Sequence, residues 1–304
     1  WIHSRGCWWQ NEDTSALADH VDRRSFNDLL ANVEPRGKSA AAALKSIHVR
    51  PGLRVELMAA ETLIADPIAF DWDARGRLWV VEMGDYPSGL DGKGKPGGVV
   101  RVLEDTNGDA RYDKATTFLD GLGFPTGLIP WRDGVIIACA PDIFFARDTD
   151  GDLRADERKV LFTGFGEGNQ QHRLNGFEMG LDGWIYGANG DSGGTIRSIA
   201  TGKSIDIRNR DFRFDPDTGA LETESGQTQF GRHRDDEGRW YGNNNPTIVW
   251  EYVIHESDLK RNPLLALTST KQILDVDTVV HPISRTLPRF NDLHMANRIT
   301  SANS

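Results

Sequence analysis

From Pro51 onward the apolar residues come in short runs, not at helical spacing. One pattern recurs: a polar turn ending in glycine, then three or more residues of strand character. It appears in "DARGRLWVVE" at Gly76, "WRDGVIIACA" at Gly134, "GLDGWIYGAN" at Gly183 and "DDEGRWYGNN" at Gly238, with glycines 58, 49 and 55 residues apart. Upstream runs such as "PIAFDWD" and "GFEMGLD" read as first strands of hairpins. Four unrelated Asp-Gly hairpins would give the same local signals without the regular spacing. A period of about 50 residues with several strands per unit marks a β-propeller blade, a sheet that cannot bury both faces alone and packs radially on its neighbours.

Residues 1–50 differ. Leu17, Val21, Phe26, Leu29 and Leu30 fall at roughly helical spacing, Thr14 or Ser15 offers a cap, and Pro35-Arg36-Gly37 a stop. The expectation is an all-β protein: a β-propeller domain over 51–304, incomplete, behind a short helical N-terminal arm over 1–50. Four units are countable, and an open ring would leave bare sheet edges, so the ring is expected to be truncated at its C-terminus and to continue past Ser304 in an intact parent. The opening "WIHSRGCWWQ" has neither Met nor an apolar signal run, which also suggests a fragment.

Composition narrows the function. The 304 residues carry a net charge of −10, which disfavours a nucleic-acid surface. Two cysteines, Cys7 and Cys139, without a CxxC pair, exclude a disulfide framework, a thiolate zinc site and covalent haem attachment within the chain. No run of about eighteen apolar residues exists, so no membrane-spanning helix is expected. Trp79, Trp184, Trp240 and Trp250 fall on expected strands, where large rings pack blades. His281 and His294 read as surface or loop histidines.

The chemistry concentrates in "HRLNGFEMGLDGWIYGANGD", residues 172–191. His172 opens the first strand of a hairpin and Asp191 follows the second, so both lie at one rim although nineteen residues apart. A carboxylate beside an imidazole fixes its tautomer and raises its basicity; a loop histidine and a turn-ending aspartate would read the same. Arg173 and Asn175 are placed to hydrogen-bond substrate, or equally to cap the strand start. Two loops, "DTNGDARYD" (Asp105, Asn107, Asp109, Asp113) and "DTDGDLRAD" (Asp148, Asp150, Asp152, Asp156), set oxygen ligands at alternate positions, as Ca²⁺ requires. Both lack the later glycine and glutamate of a full calcium-hand loop, and both also read as solvated Asx turns.

The arrangement of His172, Phe177, Gly180, Asp182-Gly183, Ile185-Tyr186 and Gly190-Asp191 resembles the signature of soluble quinoprotein glucose/sorbosone dehydrogenases. Residues 51–304 resemble more closely a domain of large multidomain bacterial proteins described as a membrane-bound dehydrogenase, in "GLRVELMAAETLIADPIAFDWDARGRLWVVEMGDYP", "NQQHRLNGFEMGLDGWIYGANGDSGG" and "SGQTQFGRHRDDEGRWYGNNNP". The resemblance implies a six-bladed propeller that oxidises a sugar or alcohol with pyrroloquinoline quinone (PQQ). It makes His172 the general base and Asp191 its support. It implies calcium held near Asn244 and Asn245, a c-type haem partner as electron acceptor, and an extracytoplasmic or periplasmic location. An Arg-Asn pair that polarises the quinone in that family is replaced by Gln227 and Thr228, with Arg232 or Arg234 as nearby substitutes. A second expectation keeps the fold without turnover: a carbohydrate- or protein-binding propeller with calcium-stiffened loops.

Overall fold

The computed structural model describes residues 39–274, apart from 263, 265, 266 and 268. The expected helix around Leu17–Leu30 lies outside these residues, as do His281 and His294. A short helix, Ala40–Lys45, is capped by Ser39, whose hydroxyl accepts the amide of Ala42. All the sheets belong to one compact unit, Ile47–Thr278.

That unit is built from successive antiparallel sheets. The first is a meander of β1 (Pro67–Trp72), β2 (Leu78–Met83), β3 (Gly98–Glu104) and β4 (Lys114–Leu122). The second follows the same path through β5 (Gly127–Trp131), β6 (Gly134–Cys139), β7 (Asp142–Arg147) and β8 (Glu157–Phe165). The third opens with β9 (Asn175–Met179) and β10 (Ile185–Ala188). The chain then leaves it for a hairpin, β11 (Gly194–Ser198) and β12 (Ser204–Asp206), which pairs with β8 and widens the second sheet. It returns as β13 (Asp211–Asp215) and β14 (Ala220–Glu224). The fourth sheet is β15 (His233–Arg234), β16 (Trp240–Asn244), β17 (Thr247–Tyr252) and β18 (Lys271–Ile273), with a helix, Glu256–Arg261, between the last two.

Gly76, Gly183 and Gly238 occupy equivalent turns at positive φ between the first and second strands of their sheets, whereas Gly134 is itself the first residue of β6, after the tighter Arg132-Asp133 turn. The turn chemistry repeats too. In the first sheet Asp73 accepts from the Arg77 guanidinium and the Trp79 indole; in the fourth, Asp235 accepts from the Arg239 guanidinium and the Tyr241 hydroxyl. In the third, Asp182 accepts from the Tyr186 hydroxyl.

Apolar faces then join sheet to sheet. Trp79, Val81, Val100, Val102 and Phe118 of the first pack on Leu128, Val135, Ile137 and Phe144 of the second. The other face of the second, with Ile136, Ile143 and Phe162, meets Phe177, Ile185, Phe212 and Phe214 of the third. Tyr186 of the third meets Trp240, Trp250 and Tyr252 of the fourth. Each such large side chain contributes about 1.5–3 kcal/mol when buried. Blades stacked face to face in chain order define a β-propeller, as the repeat implied. Trp79, Trp240 and Trp250 serve as packing residues, and the Arg213 guanidinium lies 4.8 Å from the ring centre of the partly buried Trp184. Among the described residues no helix is long and apolar enough to cross a membrane.

Candidate functional site

After β8 the chain makes a single 3₁₀ turn, Gln170–His172, capped by the Asn169 side chain. The main-chain oxygen of His172 accepts the amide of Ser192 at 3.0 Å and the Ser192 hydroxyl. This stitches the β8–β9 connection to the loop after β10. Gly190, at φ +73°, passes so close that a Cβ would lie 2.0 Å from the Arg173 oxygen. Asp191 follows in the left-handed region at φ 82°, a conformation aspartate tolerates better than most residues. The result brings Asp191 Oδ2 to 3.4 Å from His172 Nδ1, with the two side chains 36 % and 28 % exposed. The pair sits at an open rim.

A third segment completes the site. The loop between β14 and β15 brings up Gln227, whose amide donates to Asp191 Oδ1, and Gln229, whose Nε2 lies 3.0 Å from His172 Nε2. Phe230, 44 % exposed, stands edge-on to the imidazole at 6.4 Å between ring centres. The Gln171 amide meets the Tyr86 hydroxyl at the same edge.

What holds this loop is buried. Asp211 Oδ1 accepts the amides of Asn189 and Thr228 at 3.0 and 2.9 Å. Its Oδ2 accepts the Thr228 hydroxyl at 2.6 Å and Arg232 Nη1 at 3.2 Å. The Arg232 guanidinium is packed on Tyr252 at 4.3 Å and on Trp240 at 5.2 Å, and it also donates to the Ser225 carbonyl. Arg232 and Asp211 have no exposed surface. Burial, and then the Asp211 charge, push the Tyr252 hydroxyl well above its ordinary pKa.

The expected site residues therefore divide. His172, Asp191 and Gln227 meet at the rim. Thr228 and Arg232, expected at a quinone, are instead fully buried between the third and fourth sheets. Arg234 is partly buried, and its Nε donates to the Met179 carbonyl at the far end of the β9–β10 hairpin. Asn175, expected to meet substrate, is committed to main chain: its Nδ2 donates to the Arg173 and Gln229 oxygens, and its Oδ1 accepts the Gly231 amide. It ties two loops together. Arg173 is 6 % exposed, donates to the Glu167 carbonyl, and lies over Phe124. Gln229 was missed because a lone glutamine in "SGQTQFG" carries no motif; its proximity to His172 arises only when the loop folds back.

The two acidic loops share one fold and lie at the far ends of the β3–β4 and β7–β8 hairpins, away from the His172 rim. Asp105 accepts the amides of Gly108 and Ala110, and Asp148 those of Gly151 and Leu153. The Gly151 amide above all holds the Asp148 carboxyl below its ordinary pKa. They differ at three positions, Asn107/Asp150, Ala110/Leu153 and Tyr112/Ala155, and the first of these changes the acidic cluster. Asn107 donates through Nδ2 to Asp113, whereas Asp150, its counterpart, cannot donate to Asp156. Asp148, Asp150 and Asp156 bring ligand oxygens within 4.8 Å of one another, and the first loop makes no such trio among the described residues. Asp109 and Asp152 accept the amides of Arg111 and Arg154. At the expected second calcium position, the Asn244 side chain accepts the Thr247 amide and the Asn245 amide donates to Gln229.

Fold and site together define a β-propeller with an imidazole–carboxylate pair at one rim. A family model matches residues 39–304, and the chain belongs to that family, described as a domain of unknown function, DUF7133. No curated protein matches the chain. Similar solved structures include the PQQ domain of pyranose dehydrogenase from Coprinopsis cinerea in its holo form (16 % identity, 67 % of this chain and 47 % of that one, TM-score 0.43). They also include a luciferin-regenerating enzyme (11 %, 61 % and 55 %, TM-score 0.41) and a virginiamycin B lyase from Staphylococcus aureus (14 %, 66 % and 55 %, TM-score 0.37). The chain spans about half the length of each of these.

Removing the guanidinium tests its placement. Arg232→Met should cost about 3–5 kcal/mol in chemical denaturation, because Asp211 would be left buried and unpaired. A change within about 0.5 kcal/mol would make Arg232 an exposed rim residue instead.

Proposed function

We propose that this chain is an oxidoreductase of the quinoprotein type in which His172 takes the proton from a sugar or alcohol hydroxyl and Asp191 supports it. The observation that carries this reading is the 3.4 Å approach of Asp191 to His172 Nδ1 at a partly exposed rim. A carboxylate at Nδ1 keeps the ring proton there and leaves the Nε2 lone pair for an incoming hydroxyl. A positioned base of this kind contributes about 10²–10⁴-fold to rate. The exposed Phe230 ring beside the imidazole offers a wall for the C–H face of a sugar. A haem-bearing acceptor and an extracytoplasmic location belong to the same proposal.

The residues expected to hold the quinone do not fit it. Thr228 and Arg232 have no exposed surface, and Gln227 uses its amide on Asp191. No step is therefore assigned to the quinone. The burial of Thr228 and Arg232 favours a second reading, a propeller that binds carbohydrate at this rim without turnover. The full chain, supplied with Ca²⁺ and PQQ, decides between them when an aldose or a primary alcohol is added with an artificial electron acceptor. Reduction that falls about 10²–10⁴-fold in His172→Ala supports the oxidoreductase. Sugar binding without reduction supports the second reading, and the absence of both contradicts each.

The calcium belongs, in this proposal, to the loop 148–156 alone, where three carboxylates converge without a donor between Asp150 and Asp156. Millimolar Ca²⁺ should raise the thermal midpoint of the chain, since a ligand that binds only the folded state stabilises it. Asp150→Asn, which copies Asn107 of the first loop, should abolish the rise. An unchanged rise in that variant would place the ion elsewhere.

A further inference from the structure

The third and fourth sheets leave a cavity of about 240 Å³ between them, at the end opposite the His172 rim. Its mouth lies between the β9–β10 turn, the β15–β16 turn and the start of the helix Glu256–Arg261, at His255 and Ser257. Leu181 of the first turn comes so close to the second that a Cβ on Gly238 would lie 2.9 Å from its Cδ1. Glu224, which pairs with Asp211 across β13 and β14, lines the inner end.

Glu224 is 1 % exposed, and its carboxylate is only half used. Oε1 lies 3.3 Å from Arg213 Nε. Oε2 has no hydrogen-bond partner among the described residues, because Arg232 Nη2, at 3.9 Å, is too far to donate. An unsatisfied buried acceptor is costly, so a donor that reaches it binds favourably. That donor is a neutral one. Two guanidinium groups already flank the carboxylate, and an ammonium would meet both as like charges. An anion is no better served. Arg213 is committed to Asp182, Glu222 and the Tyr186 hydroxyl, and Arg234 donates to the main-chain oxygens of Met179 and Asp235. A hydroxyl donates without adding charge. The remaining lining suits a molecule with several hydroxyls: Asp182 and Tyr186 carry further hydrogen-bonding oxygens, and Leu181 and Trp240 give apolar surface. The volume falls below the roughly 300–1,000 Å³ of drug-sized sites, which limits the ligand to about the size of one sugar.

We propose that this cavity binds a neutral polyol no larger than a monosaccharide, with one hydroxyl donating to Glu224. The site is separate from the His172 rim and does not rest on the reading of His172 as a base. A ligand there also braces the Asp211–Arg232 pair, since Glu224 neighbours both.

Sorbitol, gluconate and glucamine share one carbon chain and differ at one end, as alcohol, carboxylate and ammonium. Ligand-observed NMR titration of the full chain should find sorbitol the tightest of the three. Glu224→Gln should weaken sorbitol about 10-fold or more, because the acceptor loses its charge. Ser257→Trp fills the mouth from a half-buried helix position and leaves the core untouched, so it should abolish binding whether or not Glu224→Gln folds. His172→Ala should leave sorbitol binding unchanged. No sorbitol binding by the unaltered chain, or tighter binding of either charged analogue, overturns the proposal. So does binding that survives Ser257→Trp and is lost in His172→Ala, which would place the polyol at the rim instead.

Discussion

The site depends on one buried ion pair. Asp211 and Arg232 lie between the third and fourth sheets without exposed surface, and such a pair is tolerated only when its remaining hydrogen-bonding capacity is met. Asp211 meets this condition with two main-chain amides, the Thr228 hydroxyl and Arg232. Arg232 meets it only in part: Nη1 bonds Asp211 and the Ser225 carbonyl, Nε and Nη2 have no hydrogen-bond partner, Nη2 lies 3.9 Å from the buried Glu224 carboxylate, and the faces of Tyr252 and Trp240 pack around the cation. Through the Asn189 and Thr228 amides, one carboxylate fixes both the loop after β10 and the loop after β14.

From this clamp the rim follows by geometry. Fixing Asn189 sets Gly190 and Asp191, and Gly190 then passes over the main chain of His172 and Arg173 where only a glycine fits. Fixing Thr228 sets its two neighbours, Gln227 on Asp191 and Gln229 on His172. Asn175 closes the arrangement by bonding the main chain of both His172-side and Gln229-side segments. The functional side chains are thus placed by main-chain hydrogen bonds to buried groups, which position loops more firmly than surface contacts do.

The fold was legible because its signal is periodic. Gly76, Gly134, Gly183 and Gly238 each mark the first hairpin of a sheet, and the strands behind them carry enough apolar residues to bury two faces. The β11–β12 hairpin was not legible: it interrupts the third sheet and pairs with the second, and nothing in 194–206 names its partner strand. At the site, His172 and Asp191 could be placed at one rim because they flank one hairpin. Thr228 and Arg232 could not be placed, because a motif position gives order along the chain and not whether a side chain turns toward the rim or the interior. Arg232 reads as a surface cation until its aromatic surroundings, which come from three other strands, are known. The acidic loops look alike in sequence, and the difference that bears on metal binding lies at Asn107 and Asp150, one able to donate and one not.

Amide hydrogen exchange across residues 225–232 of the unaltered chain probes the clamp most directly. The Thr228 amide donates to the buried Asp211 carboxylate and the Gln229 amide to the Asn243 oxygen. A clamped loop releases these two amides only on global unfolding, at rates matching the core strands β10 and β13. Exchange as fast as at exposed turn amides such as Lys93 would show that the loop opens locally, and that the buried pair does not hold the rim together.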